Sequence, residues 1–245
     1  MSRLDYKTLH EGYQNSNIAY KSFTIENYEN PQAEYRLKRL HKILKINHGT
    51  FDEEFPEQMM ASLFINGDEK VLEIGGNIGR NSLIISKLLH EEKNLVVLES
   101  CLENAKILEE NRNLNNLSFH IEPSALSKRK LIQKDWESKP YDGDNIPDGY
   151  FSVDVIDYQN LEKKYNIVFD TLVLDCEGAF YYILQDIPEI LNNIKLIITE
   201  NDYNDINHYN YIKNELLRNN FISVYSLAGG WGPCYDNFFE VWKKK

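Results

Sequence analysis

The chain has 245 residues, 42% of them hydrophobic, enough for one full α/β domain with an extension. Its 38 acids against 27 bases leave a net charge of -11, which argues against a nucleic-acid partner, since such binding draws on clustered Lys and Arg. An apolar run long enough for a membrane span is missing, as is the apolar core of a signal peptide, and Cys101, Cys176 and Cys234 form no metal or disulfide spacing, so a soluble, cytoplasmic protein is expected.

Residues 1–30 carry Tyr6, Tyr13, Tyr20 and Tyr28 without periodicity, and read as an irregular arm that packs on the domain or covers its cleft. Pro31 can open a helix whose apolar positions are Tyr35, Leu37, Leu40, Ile43 and Leu44. Residues 1–55 are accordingly expected to form an N-terminal extension of irregular arm and helix, and 56–245 the main domain. Pro56 opens a second helix with Met59, Met60, Leu63 and Phe64 inward, stopped at Asn66-Gly67-Asp68. Then come strands and helices in alternation. Val71–Ile74 is an apolar strand, Gly75, Gly76 and Gly79 turn the chain, and Leu83, Ile84 and Leu88 face inward from a helix. Glycine is expected there for a tight turn and so that backbone can lie against a ligand.

Leu95–Leu98 is closed by Glu99, and Leu102, Ala105 and Leu108 face inward from the following helix. Residues 117–121 make a third strand leading into Ser124 and Ala125. The polar stretch 127–149, with Trp136, is expected to be a functional cap or a disordered insertion. Phe151, Val153 and Val155 alternate as a strand does. Thr171–Leu174 ends in Asp175, turns at Cys176-Glu177-Gly178-Ala179, and is followed by a helix with Ile183, Leu184 and Ile187, with Pro188 inside it or just after. Residues 196–199 form a fifth buried strand ending in Glu200. After a further helix, residues 221–225 and 238–242 flank Gly229-Gly230-Trp231-Gly232-Pro233 with no helix between, an antiparallel hairpin at one sheet edge. The expected fold is α/β and Rossmann-like: a seven-stranded, mostly parallel sheet with helices on both faces and a C-terminal antiparallel hairpin.

Four apolar strands contain or end in a carboxylate: Glu73, Glu99, Asp175 and Glu200. In an open parallel sheet the carboxyl ends of the strands border the ligand crevice, and a buried unpaired carboxylate is costly. Helix capping is the structural alternative for each acid. The glycines do not spell Gly-x-Gly-x-x-Gly, which disfavours a dinucleotide. Glu73-x-Gly75-x-Asn77-x-Gly79 instead resembles motif I of the class I S-adenosylmethionine-dependent methyltransferases, with Asn77 where many members carry glycine. That resemblance implies S-adenosylmethionine as cofactor. Glu99, 20 residues after Gly79, would take the two ribose hydroxyls, with Ser100 beside it. Glu73 would organise the ligand's amino group from beneath the turn, Asn77 and the backbone of Gly75, Gly76 and Gly79 its amino-acid end, and Ser124 and Ala125 the adenine.

The second half narrows the resemblance. Asp175-Cys176-Glu177-Gly178-Ala179 followed by a helix, and later Ile197-Ile198-Thr199-Glu200, is similar to the FkbM family of O-methyltransferases, over roughly residues 57–242. Glu73, Gly76 and Phe180 depart from that family's usual Asp, Ala and second Glu. The family implies methylation of a hydroxyl, often on a sugar or glycan. Asp175 or Glu200 would act as base, Asp175 lying also against the cofactor, and Glu177 would orient the acceptor, with His208 an alternative base. Asp175, Glu177 and Glu200, with Asp202, have the hard oxygen ligands to hold Mg²⁺. A methyltransferase for another small molecule or a protein, a nicotinamide-dependent oxidoreductase and a non-catalytic binding module are the competing readings. The acceptor, metal dependence and oligomeric state stay open at this level.

Overall fold

Runs of Val, Ile and Leu that are apolar on both faces make the centre of the molecule. In the computed structural model, which describes residues 31–135 and 137–245, two helices come first, α1 (Pro31–Ile43) and α2 (Phe55–Phe64). The alternating part begins with β1 (Val71–Ile74), α3 (Arg80–Leu88), β2 (Leu95–Leu98), α4 (Leu102–Leu114) and β3 (His120–Glu122). An intervening region holds β4 (Ala125–Leu126), β5 (Leu131–Lys134), β6 (Glu137–Pro140), β7 (Phe151–Val153) and β8 (Val155–Ile156). The chain then continues through α5 (Tyr158–Tyr165), β9 (Thr171–Leu174), α6 (Phe180–Asp186), β10 (Leu196–Glu200) and α7 (Ile206–Arg218). It ends in β11 (Phe221–Leu227) and β12 (Phe239–Lys244). The expected aromatic arm of residues 1–30 and Trp136 lie outside the described residues.

The central sheet has seven strands in the order β3-β2-β1-β9-β10-β12-β11. The first five run parallel, and β12 is antiparallel to both β10 and β11. This is the expected Rossmann-like architecture, with the last strand slotted inside the edge. Alternation of side chains sorts two cores. Val71, Val97, Val173 and Ile198 face a layer containing Leu37 of α1, Met59 of α2, Leu83 of α3 and Leu108 of α4. Leu72, Val96, Leu172 and Ile197 face Leu161 of α5, Leu184 of α6 and Leu216 of α7. Each fully buried side chain of this size contributes about 1.5–3 kcal/mol relative to exposure.

Local chemistry sets the helix ends. Asp157 caps α5 by accepting from the Asn160 N–H, and Asn166 closes it in the left-handed region. Asp205 does the same for α7 through the Asn207 N–H. In α1 only part of the apolar spacing is used: Leu37, Leu40 and Leu44 turn inward, whereas Tyr35 and Ile43 are exposed. The helix shares its core with the sheet and is fastened to α2 by the Ser62 hydroxyl, which donates to the Ala33 carbonyl at 3.0 Å.

Two details differ from the sequence reading. Leu117 and Phe119 are buried, but strand pairing begins only at His120. The stretch 127–149 is neither a simple loop nor separate from the strand at Phe151–Val153, because β5 pairs antiparallel with both β6 and β7 as a small three-stranded sheet. Among the described residues no helix is long and apolar enough to cross a membrane.

Candidate active site

The parallel strands bring the ends of β1, β2, β9 and β10 to one edge, and the turn after β1 shows why it must be glycine. Gly75 and Gly79 have φ of 92° and 95°. A Cβ on Gly75 would stand 1.6 Å from the Asp175 carbonyl oxygen, one on Gly76 2.2 Å from Val97 Cγ1, and one on Gly79 2.4 Å from Leu108 Cδ1. Neighbouring protein thus leaves no room for a Cβ at these glycines, which fits the tight turn expected here, and Gly75 also lines the cavity at this edge. Both Gly75 and Gly76 N–H groups donate to the Leu98 carbonyl at 3.0 Å, clamping the turn onto β2. Asn77 has φ of 46°, a conformation that asparagine tolerates better than most residues. That accounts for asparagine at a position where motif I often has glycine.

A cavity of about 320 Å³ opens at this edge, within the size range of small-molecule sites. Gly75, Asn77, Glu99, Ser100, Ser124 and Ala125 line one half. Glu99 is buried, and its two oxygens accept from the Asn77 and Cys101 N–H groups, each at 2.7 Å. Burial raises its carboxyl from the usual range, and these two N–H groups oppose the rise. One lone pair on each oxygen is still free for a ligand hydroxyl. The Ser100 hydroxyl donates to Gln133 Oε1 at 2.8 Å, so the β5–β7 sheet is tied to the end of β2. Gln133 and Ser138 from that sheet also line the cavity, giving the polar stretch the place of a cap.

Three of the residues assigned to the cofactor stand outside the cavity wall. Gly76 and Gly79 pack on β2 and α4 as described. Glu73 shares its sheet face with Val71 and Val173, on the α3 side, and its Oε2 has no hydrogen-bond partner. Burial pushes the Glu73 carboxyl up to about 8, with Ser82 and Asn81 beside it opposing the shift.

Asp175, Glu177 and Glu200 line the other half together with Asp202 and two acids that no sequence motif singles out, Glu54 and Glu57. Neither Asp175 nor Glu200 caps the helix after its strand: the cap position of α6 is Ala179, and Asp205 caps α7. Burial raises the Asp175 carboxyl well above its ordinary range, and the nearby Glu57 and Glu177 charges push it further. Glu200 is raised well above its range by burial, then by Asp175 and Glu57. Glu177 sits in the left-handed region with φ of 49° and is exposed at the rim. Asp202 is buried and accepts from the Gly178 N–H at 2.9 Å, fixing the turn that carries Glu177. Arg80 is held by Glu53 and Glu54, and Glu54 also accepts from Asn77 Nδ2 at 3.1 Å. His208 is not part of the wall; its ring stacks on Tyr181 with centroids 3.7 Å apart. Phe180, where the family resemblance would place a second acid, is buried in the core.

Glu54 and Glu57 carry no signal in the sequence because acids in the first turn of a helix are ordinary partners of its dipole. Their role comes from α2 packing against β10, a contact no local pattern announces.

No family model matches the chain, and no curated protein matches it. Solved structures similar to it include a protein of Klebsiella pneumoniae assigned as an O-methyltransferase, 16% identical over 89% of this chain and 92% of that one, TM-score 0.49. Another is an O-methyltransferase of Bacillus cereus in complex with SAH, 15% identical over 90% of this chain and 94% of that one, TM-score 0.46. A third is a ribosomal protein L11 methylase of Lactobacillus delbrueckii subsp. bulgaricus, 13% identical over 83% of each chain, TM-score 0.47.

Proposed function

We propose that this chain is an S-adenosylmethionine-dependent methyltransferase acting on a hydroxyl of a sugar or related polyol. The observation that carries this reading is the division of one cavity into two acid-bearing halves. Glu99 faces it from the end of β2, held by the backbone of the glycine turn, as a ribose acid needs. Asp175, Glu177 and Glu200 face it from the ends of β9 and β10 and cap neither of the helices that follow. Methyl transfer from a sulfonium needs acceptor oxygen, methyl carbon and sulfur in line, which is chiefly a matter of positioning. Asp175 or Glu200 would take the hydroxyl proton; a carboxylate with a raised pKa is a better base for it. The positive sulfonium would favour the ionised form of the acid nearest to it.

A wall containing Glu54, Glu57, Glu99, Asp175, Glu177 and Glu200 favours neutral or cationic acceptors over phosphate-bearing ones. Isothermal titration with S-adenosylmethionine and with NADH, then mass analysis of methyl-ether formation on a panel of free sugars and glycosides, tests the reading. Saturable binding of S-adenosylmethionine and methylated product are expected. NADH binding without S-adenosylmethionine binding would overturn it.

A further inference from the structure

The deepest part of the acidic half differs from the grouping expected from sequence. Glu177 is exposed at the rim, and Asp202 is engaged by the Gly178 N–H. Glu57 reaches across from α2 to stand beside Asp175 and Glu200. One oxygen from each of Glu57, Asp175 and Glu200 lies within 4.8 Å of the others. A second observation bears on Glu57, and Asp202 shares it through its own buried, unpartnered Oδ2. The Glu57 side chain is 6% exposed, and its Oε2 is buried without a hydrogen-bond partner. Such a group is costly unless something satisfies it.

We propose that Glu57, Asp175 and Glu200 form a site for a hard divalent cation, Mg²⁺ or Mn²⁺. Three carboxylate oxygens converging from three elements suit such ions, which bind oxygen at about 2.0–2.6 Å and keep water in their remaining positions. The ligand-to-ligand spacing is what a cation between them would span after a small inward adjustment. The ion would neutralise three carboxylates that the fold holds close together. Glu57 is held in place by a well-packed helix: Met59, Met60 and Ala61 beside it are buried, and α2 packs against β10. The ion would therefore couple the N-terminal helix pair to the sheet edge. Its open positions would face the cavity, where, if the acceptor is the polyol proposed above, two neighbouring hydroxyl oxygens would enter and be made more acidic.

The test uses the full chain after chelator treatment, titrated calorimetrically with MnCl₂ and melted in MgCl₂, MnCl₂ or KCl at equal ionic strength, without S-adenosylmethionine. One saturable Mn²⁺ per chain is expected, with a melting temperature raised by Mg²⁺ and Mn²⁺ above the KCl control. Glu57→Gln should weaken Mn²⁺ by roughly 100-fold, because even outer partners of a metal site cost 10–100-fold. Glu103→Gln, an equal charge change at an exposed site on α4, should leave it unchanged. Should Glu57→Gln fail to fold by circular dichroism, Glu200→Gln serves as the second ligand variant with the same expectation. No saturable Mn²⁺ binding, or binding that survives loss of the ligand carboxylate, would overturn the proposal. Because the cofactor titration is separate, metal failure with intact S-adenosylmethionine binding would leave the methyltransferase reading standing.

Discussion

Glu99 and Glu200 stand at the ends of two strands of the same sheet and line the same cavity, yet their surroundings are opposite. Glu99 accepts a backbone N–H on each oxygen, so its charge is compensated by the fold itself. Glu200 meets Asp175 and Glu57, and each neighbour raises its pKa. The first arrangement stiffens a binding surface before any ligand arrives. In the second, like charges are held together at a cost in stability, as expected where a fold keeps acids for chemistry or a cation. Glu73 is a third case: it is buried like Glu99 but lies on the α3 side, outside the cavity.

The contrast can be broken first at the turn that separates the halves. Gly75→Ala places a Cβ against the Asp175 carbonyl at a left-handed position, and should cost about 4 kcal/mol or more. A urea melt would measure it, and a near-native midpoint would mean the turn can move off β9 freely. The next largest effect belongs to Glu73. The unfolded chain loses this proton near the ordinary 4.5, whereas the folded chain keeps it to about 8. Folding stability should therefore fall as pH rises across that window, by on the order of 3–5 kcal/mol from this group alone. Glu73→Gln should flatten the fall, and parallel pH profiles for the two proteins would contradict the assignment. On the acceptor side, Asp175→Asn or Glu200→Gln should lower turnover about 10²-fold or more. A lower melting temperature with unchanged turnover would make these acids structural.

Strands and the acids closing them are legible because a charge at the end of a wholly apolar run is conspicuous against burial cost. Glu99 can be read from that pattern, whereas Ser124 and Ala125 enter only through the resemblance to the methyltransferases. Other features depend on register or packing between distant segments. The clash that demands Gly75 comes from Asp175, whose strand pairs with β1 through Ile74 and Leu174, so no local spacing foretells it. Glu57 belongs to a helix whose sequence explains itself by core packing, and only the seat of α2 on β10 turns it into a cavity residue. Strands β5 and β6 are hidden in the sequence because Gln133, Lys134, Ser138 and Lys139 give no apolar alternation, whereas β7 shows in Phe151 and Val153.

The division of the cavity is tested most directly by titrating S-adenosylmethionine into wild type, Glu99→Ala and Asp175→Asn, each shown folded by circular dichroism. Glu99→Ala should lose about 1.5–3 kcal/mol of binding, the scale of hydrogen bonds to a charged group, while Asp175→Asn keeps nearly wild-type affinity. Equal losses in both variants, or unchanged affinity in Glu99→Ala, would contradict the assignment of the cofactor to the Glu99 half.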